Sequence, residues 1–131
     1  RRLFDAKGCL ACHGGARGAS KRFYGYDEIG TEDAMMRWMD ADLDGTPCCG
    51  IDLGPGEFIT HGIKAPRLVG LWAQKRFLHN GSVDSLEDLF CRNGPRPTIA
   101  DGPFSDRGHR FTCDGLTDGE KDALVAYLEA L

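Results

Sequence analysis

Cys9, Cys12 and His13 are the residues whose types and spacing most clearly indicate chemistry, in the segment Cys9-Leu-Ala-Cys12-His13. Two thiols separated by two residues can add to the two vinyl groups of one porphyrin, and the adjacent histidine can then ligate the iron. A redox dithiol would need a strand–helix context, and a zinc site would need a second chelating pair. The spacing therefore predicts one covalently bound haem c with His13 as its proximal ligand.

Length and charge exclude several classes of protein. The 131 residues suit a single domain that spans residues 1–131. No apolar run approaches the ~20 residues that a membrane-spanning helix needs. The formal net charge of −4 is opposite to the basic surface of a general nucleic-acid binder. We therefore expect a protein with no membrane span and no nucleic-acid partner.

The haem motif and the cysteine content both indicate a compartment. In bacteria, haem is joined to C-x-x-C-H motifs outside the cytoplasm, where disulfides also form, so that six cysteines are tolerated. The predicted location is the periplasm or another extracytoplasmic space. Because the sequence starts at Arg1 and no signal-peptide segment follows, we expect a processed mature protein or an excised domain.

Helical patterns recur along the chain, and no segment alternates between polar and apolar residues as a strand does. Helices are expected over residues 2–12, 31–39 and 68–74, with Thr31 as the N-cap of the second. Two more begin at capping boxes, at Ser85 and at Thr117. The last of them places apolar residues at helical spacing, at Leu124, Tyr127, Leu128 and Leu131. These elements predict an all-α fold.

The four remaining cysteines are candidates for disulfides. Cys48, Cys49, Cys91 and Cys113 can pair in three ways. Adjacent cysteines rarely bond to each other, because the small ring strains the peptide bond between them. We therefore favour two disulfides that join Cys48 and Cys49 to Cys91 and Cys113. One disulfide with two free thiols is the alternative.

An acidic segment resembles half of a calcium-binding loop. Asp40, Asp42 and Asp44 alternate ahead of Gly45, as in the first half of such a loop. The twelfth position should be a bidentate glutamate, but it is Ile51. We prefer a solvated acidic segment, with calcium binding as the alternative.

Five further segments carry a family resemblance. They are Ile29-Gly-Thr-Glu-Asp33, Lys64-Ala-Pro-Arg-Leu-Val-Gly-Leu-Trp72, Arg76-Phe-Leu-His79-Asn-Gly-Ser-Val-Asp-Ser-Leu-Glu-Asp-Leu89, Gly108-His109-Arg-Phe111 and Leu116-Thr-Asp-Gly-Glu-Lys121. Together with the haem motif, they resemble the second haem domain of the di-haem cytochrome c peroxidase superfamily, and most closely its rubber-oxygenase-like branch. The resemblance implies a class I cytochrome c-like fold, with short helices and long loops around one covalent haem, in which the first and last helices cross.

The resemblance also bears on the sixth ligand of the iron. The relatives carry two haems, whereas this chain has one C-x-x-C-H motif, and Asn93 stands where the peroxidases have a ligating methionine. The rubber-oxygenase-like branch implies that His109 is the distal ligand. We expect His79 to make a structural hydrogen bond to a haem propionate or to the backbone, and Trp72 and Phe77 to help exclude water. Further candidates for the distal ligand are Met35, Met36, Met39, His61 and His79.

These expectations combine into one leading function and one alternative. The leading function is a periplasmic electron carrier with one covalent haem c, bound by Cys9 and Cys12 and ligated by His13 and His109. Such a carrier has no catalytic residue and docks transiently with redox partner proteins, through interfaces below ~1,200 Å². We expect a monomer or a domain of a larger chain. The alternative is a haem-containing peroxidase- or oxygenase-type enzyme, or an electron-entry domain of a larger oxidoreductase.

Overall fold

The computed structural model of the protein describes residues 1–32 and 62–131. About 37% of these residues are helical. The α-helices of this part are α1 (Arg2–Ala6), α2 (Leu10–His13), α3 (Tyr26–Ile29), α4 (Leu86–Leu89) and α5 (Asp118–Glu129). Short 3-10 helices lie at Ala16–Gly18, Leu71–Ala73 and Arg110–Thr112.

A small sheet corrects the predicted fold class. Strand β1 (Phe23–Tyr24) pairs antiparallel with β2 (Ile63–Lys64), with Tyr24 opposite Ile63. The prediction of an all-α fold is therefore wrong. Each strand has two residues, too few for an alternating pattern to appear in the sequence. The approach of the strands also depends on Gly62, because a Cβ there would lie 2.3 Å from the carbonyl oxygen of Tyr24.

The amino-terminal helix is interrupted just before the haem motif. We predicted one helix over residues 2–12, but α1 ends in a turn and α2 begins after Cys9. Gly8 has a φ of +77°, in the left-handed region that glycine adopts readily, and its N–H donates to the carbonyl of Asp5 at 2.9 Å. This turn ends α1 and sets a new direction for α2.

The carboxyl-terminal helix α5 forms as predicted. The N–H of Glu120 donates to the Thr117 hydroxyl at 3.4 Å, and the Glu120 carboxylate accepts from the N–H of Thr117 at 2.9 Å. This reciprocal capping box starts the helix. Helix α5 then packs against α1, where the rings of Phe4 and Tyr127 lie 5.6 Å apart.

The other predicted helices are shorter or lie elsewhere. Ser85 caps α4, since its hydroxyl accepts from the N–H of Asp88 at 3.0 Å, but the predicted capping box is only half formed, because the Asp88 carboxylate accepts from that hydroxyl and not from the Ser85 N–H. Within residues 68–74, only Leu71–Ala73 is helical, as a 3-10 helix. Thr31 and Glu32 are irregular, and residues 33–39 of the helix expected there lie outside the described residues.

The core of the described part joins α1, α4, α5 and the segments between residues 68 and 90. Its buried members are Phe4, Leu68, Leu71, Phe77, Val83, Leu86, Phe90, Leu124, Val125 and Leu128. No helix within residues 1–32 and 62–131 is long and apolar enough to cross a membrane.

A disulfide links Cys91, just after α4, to Cys113, with 5.1 Å between their Cα atoms. This pairing differs from the predicted one, in which both residues were joined to Cys48 and Cys49. The sequence separation of Cys91 and Cys113 is 22 residues. Folding brings them together because the 3-10 helix Arg110–Thr112 packs beside α4, where the Thr112 hydroxyl donates to the carbonyl of Leu89 at 2.6 Å. Cys48 and Cys49 lie outside the described residues.

Candidate functional site

The haem-attachment motif lies on the single turn of α2. Cys9 is its N-cap, and the Cys9 carbonyl accepts from the N–H of Cys12 at 3.3 Å and of His13 at 3.0 Å. Both thiols are free and half-buried, and burial raises the pKa of Cys9. One helical turn thus carries two free thiols and an imidazole, which is the donor set that two thioether bonds and one axial ligand require.

His13 is oriented by a backbone carbonyl. Its Nδ1 lies 3.0 Å from the carbonyl oxygen of Gly18. A carbonyl only accepts, so Nδ1 carries the proton in this contact and Nε2 keeps a free lone pair. Metal-bound histidines are commonly held by such a hydrogen bond from their other nitrogen. His13 is therefore arranged to ligate a metal through Nε2.

His109 approaches His13 from the other end of the chain. The two ring centroids are 6.3 Å apart, and the ring planes are inclined by 66°. Two imidazole nitrogens that share one metal lie about 4 Å apart, since each bond is about 2 Å long. The distance between the ring centroids is longer than this nitrogen–nitrogen distance by the radii of the two rings. The observed separation of the centroids therefore fits one iron between His13 and His109.

The surroundings of His109 favour a neutral imidazole. Its Nδ1 is fully buried and has no hydrogen-bond partner. Burial, with smaller contributions from His13 and from the positive charge of Arg96, lowers the pKa of His109 to about 3. The ring is therefore neutral at physiological pH, which is the state that binds a metal.

A tight loop supports the chain on the His109 side of the site. Phe77 and Val83 form an isolated antiparallel bridge, and residues 78–82 turn between them. The Asn80 amide donates to the carbonyl of Ser105 at 2.7 Å, and the Ser82 hydroxyl donates to the same oxygen at 3.1 Å. The loop thus fixes the segment that leads to His109.

This loop lies in a part of the chain that resembles a known protein family. Residues 62–101 match the RoxA-like, cytochrome c-like family. The predicted resemblance is confirmed over these residues, and a cytochrome c-like domain implies binding of haem c. The matched range lies between the haem motif and His109 and includes neither of them. No curated protein and no solved structure matches the chain.

His79, inside the cytochrome c-like match, contacts side chains instead of backbone. Its Nδ1 lies 3.3 Å from the Thr31 hydroxyl, and its Nε2 lies 3.6 Å from a carboxylate oxygen of Glu32. Burial lowers the pKa of His79, and the negative charge of Glu32 partly opposes that shift. We predicted a structural hydrogen bond for this residue, and it makes one, but to a side-chain hydroxyl.

Two buried charged residues near the cytochrome c-like match had no signal in the motifs of the sequence. Arg96 is 5% exposed, and its guanidinium donates to the carbonyls of Asp106 at 3.0 Å and Leu89 at 2.9 Å. Asp106 is 3% exposed and accepts from Thr98 and Ile99. Arg96 stands between two prolines, which indicated only a loop.

The other residues that the sequence analysis singled out form two groups, those within the described residues and those outside them. Phe77 is buried, as expected for a residue that excludes water, whereas Trp72 is 73% exposed. The distal-ligand candidates Met35, Met36, Met39 and His61 lie outside the described residues. The acidic residues of the calcium hypothesis, Asp40, Asp42 and Asp44, also lie outside them.

Proposed function

We propose that this chain binds one haem c through Cys9 and Cys12, with His13 and His109 as the axial ligands, and transfers single electrons. The supporting observation is the pair of neighbouring imidazoles with centroids 6.3 Å apart, one of them on the C-x-x-C-H turn. When bound, the haem supplies an iron that changes its oxidation state by one electron. The match to a cytochrome c-like domain supports the same function.

The residues of the chain have separate tasks in this proposal. Cys9 and Cys12 hold the porphyrin covalently, so it is retained in both oxidation states. Gly18 fixes the orientation of His13, and burial keeps His109 neutral. With both axial positions filled by protein, exogenous ligands are excluded, which favours electron transfer over catalysis. The chain docks transiently with redox partners and acts as a monomer or as a domain of a larger protein.

We propose an extracytoplasmic location, in the periplasm of a bacterium. The disulfide between Cys91 and Cys113 supports it, because disulfides persist in oxidising compartments and are rare in the cytosol. The C-x-x-C-H motif supports it independently, since haem is attached to this motif outside the cytoplasm in bacteria.

Spectroscopy of the haem-loaded ferric protein tests the proposal. Electron paramagnetic resonance and the visible spectrum should show a low-spin iron with two imidazole ligands, and mass spectrometry should find one haem on each chain. His109→Ala should give a high-spin iron that binds cyanide promptly. His79→Ala is the matched control, because it also removes a half-buried imidazole, and it should stay low-spin.

Two results would overturn parts of the proposal. A wild-type protein that is high-spin and binds cyanide or peroxide promptly would favour the alternative of a peroxidase- or oxygenase-type enzyme. A low-spin signal with two imidazole ligands in His109→Ala would show that His109 is not the distal ligand.

A further inference from the structure

Three segments that are far apart in the sequence come into contact next to the backbone of residues 107–109. The N–H of His109 donates to the carbonyl of Ile29 at 3.1 Å. The Thr31 hydroxyl lies 3.2 Å from the carbonyl oxygen of Arg107, to which it donates, and 3.3 Å from Nδ1 of His79. We call the contact of Ile29 and Thr31 with residues 107–109 the distal contact.

The Thr31 hydroxyl can form hydrogen bonds with Arg107 and His79 at the same time. A hydroxyl donates one hydrogen bond and accepts others, so it can donate to Arg107 and accept from Nδ1–H of His79. Thr31 is itself held in place, because its N–H donates to the carbonyl of Tyr26 at 3.0 Å, just after α3. The Thr31 hydroxyl therefore links the end of α3 to the loop that contains His79.

Gly108 completes the distal contact by having no side chain. A Cβ on Gly108 would lie 2.7 Å from the Thr31 Cβ and 3.3 Å from the Thr31 Cα. Its φ of +103° is also a conformation that residues with a side chain rarely adopt. Glycine is thus required here both by the backbone conformation and by the close approach of Thr31.

The backbone of His109 explains why such a contact matters. His109 has φ 51° and ψ 31°, in the left-handed region, and it precedes a short 3-10 helix instead of lying on a long one. Histidine adopts this conformation more often than most residues with a side chain, but at a cost in free energy that contacts with the surroundings can offset. The distal contact supplies hydrogen bonds on both sides of Gly108.

We propose that Thr31 is a positioning residue for the distal ligand, and that its hydroxyl, together with the close approach of Gly108, keeps His109 on the iron. This inference rests on the proposed function, in which His109 is that ligand. It also assigns a purpose to three of the segments that carried the family resemblance, because Ile29-Gly-Thr, the His79 loop and Gly108-His109 meet at the distal contact. Weakening this contact makes the sixth position of the iron accessible to small ligands.

Cyanide binding to the haem-loaded ferric protein tests this role, because cyanide can bind only when His109 leaves the iron. Thr31→Val replaces the hydroxyl by a methyl group of similar size. Loss of one hydrogen bond should raise the rate of cyanide binding about three- to tenfold. Thr31→Ser keeps the hydroxyl and is the matched control, which should stay within about twofold of the wild-type rate.

Gly108→Ala tests the same contact from the other side. It leaves the Thr31 hydroxyl in place but adds the Cβ that the contact excludes, so cyanide binding should again be faster than in the wild type. An unchanged rate in Gly108→Ala would overturn the proposal even if the Thr31 variants did not fold. Equal rates in Thr31→Val and Thr31→Ser would also overturn it, because the hydroxyl would then have no role.

The outcomes separate this inference from the proposed function. If His109→Ala stays low-spin with two imidazole ligands, the ligand assignment is wrong and both proposals fail. If His109→Ala becomes high-spin while Thr31→Val and Gly108→Ala keep the wild-type rate of cyanide binding, only the role of the distal contact is wrong.

Discussion

The two histidines of the site are held by different kinds of structure. His13 belongs to one helical turn, and the carbonyl that orients it is on Gly18, five residues away. His109 lies on an irregular segment, and one hydrogen bond of its support joins Thr31 to Arg107 over 76 residues. In the proposed haem site, the proximal side, around His13, is thus local in sequence, and the distal side, around His109, is assembled from distant segments.

The two sides also differ in what lies behind the histidines. On the proximal side, α1 and α5 pack through apolar groups such as Phe4 and Leu124. On the distal side, the buried residues include polar and charged ones, among them Arg96, Ser105 and Asp106. An apolar core tolerates substitutions that conserve its volume, whereas a buried polar network needs every partner in place. We therefore expect ligand exchange to begin on the distal side.

The largest effect is expected on the covalent part of the proximal side. The double variant Cys9→Ala/Cys12→Ala removes both thiols, so no haem should remain bound after denaturation, as measured by mass spectrometry. The matched double variant Cys91→Ala/Cys113→Ala removes the disulfide of the distal side and should retain the haem. Haem attached to the first variant would contradict the assignment of Cys9 and Cys12.

The second-largest effect is expected on the free energy of unfolding, when apolar packing behind His13 is removed. Leu124 is 2% exposed in the core between α1 and α5, so Leu124→Ala should lower the free energy of unfolding by about 2–5 kcal/mol. Urea denaturation of the haem-loaded protein measures the change. Glu129→Ala, at an exposed position of the same helix, should stay within about 0.5 kcal/mol of the wild type. A loss below about 1 kcal/mol in Leu124→Ala would show that α5 does not support this side.

A smaller loss is expected from the polar network behind His109. Arg96→Met keeps the aliphatic bulk but leaves the buried carbonyls of Leu89 and Asp106 without this donor, which should cost about 1–3 kcal/mol. The control is Arg107→Met, whose half-exposed side chain pairs with Asp101 and should contribute at most about 1 kcal/mol. Equal free energies of unfolding for the two variants would contradict the contrast between polar and apolar sides.

The smallest effect is a pH dependence of the same network. Burial alone raises the pKa of Asp106, but hydrogen bonds from Thr98 and Ile99 outweigh it, and the net pKa lies below the usual value. The unfolded chain therefore binds the proton more readily, and the stabilisation is complete above the unfolded pKa of about 4 and is lost as pH falls through the folded value.

Asp106→Asn tests this dependence, because asparagine has no titrating carboxyl. The difference in free energy of unfolding between wild type and Asp106→Asn should be constant above about pH 5 and should shrink as the solution is acidified below about pH 4. Asp101→Asn, at an exposed position, is the control for the removal of one carboxyl group. A difference that stays constant down to about pH 2 would mean that the Asp106 carboxylate is not selectively stabilised in the fold.

Local patterns predicted the starts of two helices well. The capping box at Thr117 and the N-cap at Ser85 form as expected, because a cap requires only residues within one turn. The turn at Gly8 was missed, since a single glycine inside a helical pattern is often tolerated. The two-residue strands were missed as well, because their pairing joins Tyr24 to Ile63 without a repeating pattern.

The sequence by itself indicated a haem-attachment motif, the start of the longest helix among the described residues and a family resemblance now confirmed over residues 62–101. These depend on residue types at short, fixed spacing. Only the tertiary structure decided which cysteine Cys91 pairs with, that Arg96 and Asp106 are buried, and that Thr31, His79 and Gly108 meet beside His109. Their positions depend on loops closed between distant segments, and one chain carries no local pattern that records such a contact.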